Sequence, residues 1–129
     1  MHVPDEPYDG LLLVAFGGPE SPDEVQPFLD RVTANRPIPP ERLAEVADRY
    51  QSVGGRSPLN GRLRKLLGAV SDRLIERSID LPVFWGNRNA PPLLADTVAA
   101  MHDAGVHRAL AWIASPFASY STCRQYQED

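Results

Sequence analysis

The run Leu11-Leu12-Leu13-Val14-Ala15-Phe16 lies between a turn signal, Asp9-Gly10, and a breaker, Gly17-Gly18-Pro19. Six apolar residues without polar alternation, bounded on both sides, read as a strand buried on both faces, the pattern of a parallel sheet. The next segments agree with a parallel sheet. Ser21-Pro22-Asp23-Glu24 opens a helix, with Ser21 as N-cap, Pro22 in the first helical position and Glu24 closing a capping box. Val25, Phe28, Leu29 and Val32 recur at helical spacing and give this helix one buried face. Pro37, Pro39 and Pro40 end it and start another, whose stripe is Leu43, Val46 and Ala47 up to Tyr50, stopped by Gly54-Gly55.

Ser57-Pro58 repeats the cap-then-proline signature. After it Leu59, Leu63, Leu66, Leu67, Val70, Leu74 and Ile75 trace a long amphipathic helix to about Ser78. Pro82 to Gly86 is a second short apolar strand, followed by the polar loop Asn87-Arg88-Asn89. A helix from Pro91 to His102 then buries Leu94, Val98 and Met101. Gly105 stops it, and Ala109 to Ala114 forms a third apolar strand running into Ser115 to Ser121 and a helix from about Thr122. Strand, helices, strand, helix, strand is the order of an α/β sheet with right-handed crossovers. The last helix has no stop signal, and three strands leave open sheet edges, so the chain is expected to be part of a longer protein.

Composition narrows the chemistry. The chain has 129 residues, 43% hydrophobic and 23% charged, with a formal net charge of −4. That balance, with no basic run, argues against nucleic acid or an anionic membrane as partner. There is no apolar run of roughly 18 residues, and the acidic, proline-broken N-terminus does not read as a signal peptide, so a cytoplasmic protein without a membrane segment is expected. One cysteine, Cys123, cannot form an internal disulfide, and the His and Cys spacings do not make a zinc module.

Ligands of open α/β sheets bind beyond the carboxyl ends of the strands. Three loops lie there: residues 17–21, 86–89 and 115–121. Gly17-Gly18 could cradle an anion or simply make a tight turn. Arg88, between two asparagines, could contact an anion or brace its own loop. Tyr120 and Tyr126 each offer a ring and an oxygen, or ordinary packing. Ser57 is explained as a helix cap, His102 and His107 as helix-end charges, and Cys123 as an inert thiol.

The same segments resemble the N-terminal part of the ferrochelatase family, in the actinobacterial branch acting on coproporphyrin III. The resemblance covers residues 9 to 129. It rests on Leu12 to Glu20, Pro27-Phe28-Leu29, Val32-Thr33, Ile38-Pro39 and Glu41-Arg42-Leu43. It continues in Gly54-Gly55, Ser57-Pro58-Leu59-Asn60, Phe84, Gly86 to Asn89, Tyr120-Ser121 and Cys123 to Tyr126. The resemblance implies the chelatase-like fold, an incomplete Rossmann-like parallel sheet flanked by helices. Residues 1–129 would be the N-terminal domain portion, and a second domain would carry the metal-handling residues. It also implies insertion of ferrous iron, as substrate, into a porphyrin in haem synthesis.

By position, Ser57 matches a substrate-contacting serine, and Tyr126 a porphyrin-site tyrosine that is the axial contact to product iron. Arg49 matches an arginine near the porphyrin carboxylates, with Arg88 and Tyr120 as neighbours of the site. Phe16 stands where relatives in the Firmicutes branch carry a tyrosine, which leaves the phenolate role to Tyr126. The family's histidine and glutamate for metal delivery and proton removal lie beyond residue 129, and His2, His102 and His107 match neither. No catalytic residue is therefore assigned within the chain, and little or no chelatase activity is expected of it alone. Some members of the branch bind a [2Fe-2S] cluster, which Cys123 by itself cannot hold. Other haem-pathway enzymes are further expected partners. Two other readings compete: a non-catalytic porphyrin or haem-binding remnant, and a nucleotide-binding α/β protein using Gly17-Gly18.

Overall fold

A computed structural model describes residues 7–115 and shows an α/β architecture. The elements in chain order are β1 (Gly10–Ala15), α1 (Pro22–Thr33), α2 (Pro40–Ser52), α3 (Leu59–Glu76), β2 (Val83–Asn87), α4 (Leu94–Asp103) and β3 (Ala109–Ile113). The three strands form one parallel sheet in the order β2-β1-β3. β1 is central, with Leu13 paired to Trp85 on one side and to Trp112 on the other. That position is why the sequence needs an uninterrupted apolar run there: all six residues of β1 are buried.

The pleat divides those residues between two helix layers. Leu13 and Ala15 pack with Trp85 against Leu63, Leu59, Leu66 and Leu67 of α3. Leu12 and Val14 pack with Met101, Leu94 and Val106 on the α4 side. The β1-to-β2 connection thus crosses one face in one direction, and the β2-to-β3 connection crosses the other face in the opposite direction. Both crossovers therefore have the same hand, as parallel α/β sheets require. α1 and α2 make a third cluster, in which Val25, Phe28 and Leu29 meet Ala90 and are flanked by Leu43, Val46, Ala47 and Tyr50.

Several sequence expectations are corrected. Ser21 occupies the N-cap of α1, but its side chain makes no capping bond. The Glu24 carboxylate instead accepts the Glu20 N–H at 2.6 Å, one residue earlier than a capping box would place it. α4 starts at Leu94 rather than Pro91, because residues 90–93 run alongside the end of β2. There the Asn87 N–H donates to the Pro92 carbonyl at 2.6 Å, and Asn87 bridges to Leu93. Val98 is 50% exposed; Thr97 is buried in its stead, its hydroxyl donating to the Trp85 carbonyl at 2.8 Å. Ile75, expected on the apolar stripe of α3, is exposed. β3 is not buried either: Leu110 and Trp112 are 45% and 44% exposed, because α3 covers β1 and β2 and leaves the β3 side open. The loop expected from Ser115 to Ser121 is described only at Ser115, and the helix from Thr122 lies outside the described residues.

Gly54 and Gly55 both adopt positive φ, 82° and 67°, and turn the chain from α2 into α3. They differ in surroundings. A Cβ on Gly54 would meet nothing within 4 Å, whereas one on Gly55 would collide with the backbone of Pro22. Gly54→Ala is expected to cost only the left-handed penalty, about 1–2 kcal/mol. Gly55→Ala must also push α1 and the 54–59 loop apart, and its denaturation midpoint should fall well below that of Gly54→Ala.

Candidate functional site

At the carboxyl edge of the sheet, the loop after β1, the segment after β2 and the start of α3 are locked together by two buried asparagines. Asn60, in the first turn of α3, is 1% exposed, and Asn87, at the end of β2, is fully buried. Asn60 Oδ1 accepts the Gly18 N–H at 3.3 Å and an Asn87 Nδ2 hydrogen at 3.1 Å. Asn60 Nδ2 donates to the Gly18 carbonyl at 3.1 Å, and to the Pro91 carbonyl and Glu20 Oε2 at 3.2 Å. Asn87 Oδ1 accepts the Trp85 indole N–H at 2.9 Å. Buried amides are tolerated only when their donors and acceptors are met, and here they are met by loop backbone, by the Glu20 and Trp85 side chains and by each other.

Glu20 closes the rim. Both its oxygens receive Arg64 guanidinium hydrogens at 2.6 Å, and the Arg64 guanidinium carbon lies 5.6 Å from the centre of the Trp85 ring. The paired Arg64, and then the Asn60 amide, hold the Glu20 carboxyl below its ordinary value of 4.5, against the opposing effect of burial.

Ser57 sits directly over the first loop. Its N–H donates to the Pro19 carbonyl at 2.8 Å, and its Oγ accepts the Leu59 N–H at 3.2 Å in a turn that leads into α3; the N-cap itself is Pro58, one residue later than the expected Ser57 cap. A Cβ on Gly18 would lie 2.7 Å from both Ser57 Cβ and Oγ, so only glycine allows this approach. With its N–H bound to Asn60 and Ser57 packed against it, Gly18 is engaged by the protein's own side chains and is not an open phosphate cradle. Ser57 also lines a cleft of about 420 Å³ with Arg49, Arg56, Tyr50, Val46 and Val53. Arg49 is largely exposed and paired with Glu45 at 2.6 Å.

Arg88 lies elsewhere. Its backbone N–H donates to the Ala15 carbonyl at 2.9 Å, and it lines a groove of about 950 Å³ on the α4 side, with Arg31 at the wall and Leu12, Val14, Leu94 and Ile113 among the apolar lining. Asn89 in the same wall is buried. Its N–H bonds the Phe16 carbonyl at 3.1 Å, and its Nδ2 has no partner among the described residues. The structure therefore brings Ser57 and Arg49 together and places Arg88 in a separate cavity that shares no lining residue with theirs. An aromatic row extends from Phe16 to the Ser57 cleft. Phe16 meets Phe28 edge-on at 6.0 Å, and Phe28 meets Tyr50 edge-on at 5.7 Å. Tyr120, Tyr126 and Cys123 lie outside the described residues. Among the described residues no group of three or more His, Cys, Asp or Glu could hold a metal ion, and no helix is long and apolar enough to cross a membrane.

Sequence reasoning missed Glu20, Asn60, Arg64 and Arg31. Asn60 carried a usable signal: it stands three residues before Leu63 and seven before Leu67, which puts an amide on the buried stripe of α3. The lowered Glu20 value means that its contribution to stability is complete above the ordinary carboxylate range and is lost as pH falls through the depressed value. Thermal midpoints measured from about pH 7 down to about pH 3 should show an acid-side loss that is smaller in Glu20→Gln than in the unaltered protein.

Comparison with known proteins places these features in a lineage. The ferrochelatase family profile matches residues 8–129. A coproporphyrin III ferrochelatase of Streptomyces coelicolor is 53% identical over 123 residues, covering 95% of this chain and 33% of the relative. One of Frankia alni is 55% identical over 121 residues, covering 94% and 30%. A ferrochelatase of Rhodopirellula baltica is 49% identical over 123 residues, covering 95% and 35%. The chain thus spans about a third of the length of the curated relatives it matches. All seven strands and helices fall within the matched segment, and the chain belongs to the ferrochelatase family.

Proposed function

We propose that the complete protein inserts ferrous iron into coproporphyrin III in haem synthesis, and that this chain forms the N-terminal domain portion, one wall of the porphyrin site. The observation that carries the reading is a pair of largely apolar cavities bordered by arginines, Arg49 and Arg56 in one and Arg31 and Arg88 in the other, in a chain more than half identical to proteins named coproporphyrin III ferrochelatase. A tetracarboxylate macrocycle is flat and apolar with anionic corners. Guanidinium groups match carboxylates in two-pronged geometry, and an apolar slot takes the ring. Arg49 and Ser57 would hold one edge and Arg88 another. Tyr120 and Tyr126 belong to the same site by family resemblance, and Tyr126 would supply the axial oxygen to iron in the product.

Metal delivery and removal of the pyrrole protons are not assigned to any residue here. Both steps require groups placed over the ring face, and the family's histidine and glutamate match none of the three histidines of this chain. Nor do these residues fit an iron–sulfur cluster. Such a cluster takes four thiolates, and Cys123 is the single cysteine present. We place the enzyme in the cytoplasm, with other enzymes of haem synthesis as its partners.

In the complete gene product, Ser57→Ala and Arg88→Ala should each lower kcat/KM for coproporphyrin iron insertion by about tenfold, the loss of a hydrogen bond to a charged group. Unchanged values in both would overturn the reading. Residues 1–129 alone should insert no iron. Where haem is bound, Tyr126→Phe should abolish the tyrosinate band in its spectrum.

A further inference from the structure

Ser57 and Arg88 line cavities with no common residue, yet a chain of hydrogen bonds and adjoining peptide links connects them. Ser57 is packed against Gly18 and bonded to Pro19. Both backbone polar groups of Gly18 are held by the Asn60 amide, and Asn60 Oδ1 takes the Asn87 amide hydrogen. Asn87 immediately precedes Arg88 and is fixed in turn by Pro91, Pro92 and Trp85. Each link lies among buried or half-buried groups: Asn60 Oδ1 accepts from two donors, and its two Nδ2 hydrogens are shared among three acceptors. A shift of either loop breaks bonds made by fully buried amides and carries the cost of leaving them unpaired.

We infer that Asn60 and Asn87 are positioning residues that hold the Ser57 edge and the Arg88 edge at one fixed separation, so that a single rigid macrocycle engages both at once. The inference rests on the reading of these residues as one porphyrin wall. Rigid ligands make the separation matter. A flexible ligand could reach both edges after a small displacement, but a porphyrin cannot stretch. Loosening the asparagine pair should therefore make the two contacts alternative rather than simultaneous.

The test is a coupling measurement, since contiguity alone does not establish coupling. Coproporphyrin III affinity is measured by fluorescence quenching in the complete gene product, for Ser57→Ala, Arg88→Ala and both, with Asn60 intact and with Asn60→Ser. With Asn60 intact, each single substitution should weaken binding about tenfold and the pair about a hundredfold. In the Asn60→Ser background each single substitution should cost less than about threefold and the pair about tenfold, because only one edge is engaged at a time. A merely structural role would lower the melting temperature and leave both tenfold penalties intact, and that result overturns the inference. Asn60→Asp carries the same expectation if the serine variant does not fold. It keeps the side-chain shape and both bonds to Oδ1, and sets a second acceptor against the Gly18 and Pro91 carbonyls. Failure of the unaltered protein to bind coproporphyrin III would remove the porphyrin reading and this inference together, whereas intact binding with undiminished penalties would remove the inference alone.

Discussion

One buried amide joins everything at the carboxyl edge of this sheet. Asn60 replaces water for Gly18, Pro91 and Asn87 together, and its surroundings leave none of its hydrogen-bonding capacity unused. An unpaired amide in that position would cost about 1–3 kcal/mol per stranded group, so displacing either strand-end segment from the start of α3 is penalised. The glycines serve the same arrangement from the other direction. Gly18 admits Ser57 and Gly55 admits Pro22, so the loops approach as closely as their backbones allow. Apolar burial on both faces of β1 holds the two helix layers to the sheet. It does not by itself determine how loops at the strand ends meet, and the polar network does.

The layered architecture was legible in the sequence because each element answers to a local rule. β1 is apolar because it is central, and α1 and α3 repeat at helical spacing because one face of each meets a neighbour. What the sequence could not show were outcomes of competition between groups close in space. Glu24 bonds the Glu20 N–H in place of the Ser21 N–H that a capping box would use. Residues 90–93 satisfied Asn87 before they could join a helix. β3 reads as apolar as β1, yet its burial depends on what lies beyond it, and no periodicity encodes a neighbour.

The site was legible in a different way. Ser57, Arg49 and Arg88 are ordinary by spacing: a cap, an ion-paired helix residue and a loop cation. Their grouping came from the order of short motifs. In the structure Ser57 and Arg49 line one cleft and Arg88 another. Asn60 is the opposite case, because its place on an apolar stripe is visible to periodicity while its partners, residues 18, 87 and 91, are far away in the chain.

The central place of β1 also has a kinetic meaning. Its partners begin at Val83 and Ala109, so this apolar strand leaves the ribosome before either neighbour and finds both only after most of the described fold has been synthesised. Synthesis proceeds at about 5–20 residues per second, which leaves β1 unpaired for several seconds or longer, far beyond the time in which helices form. Parallel pairing across such separations is slow in its own right. For this sheet, the exposed interval of a nascent strand, more than the stability of the finished fold, sets the demand on whatever shields new chains from aggregation.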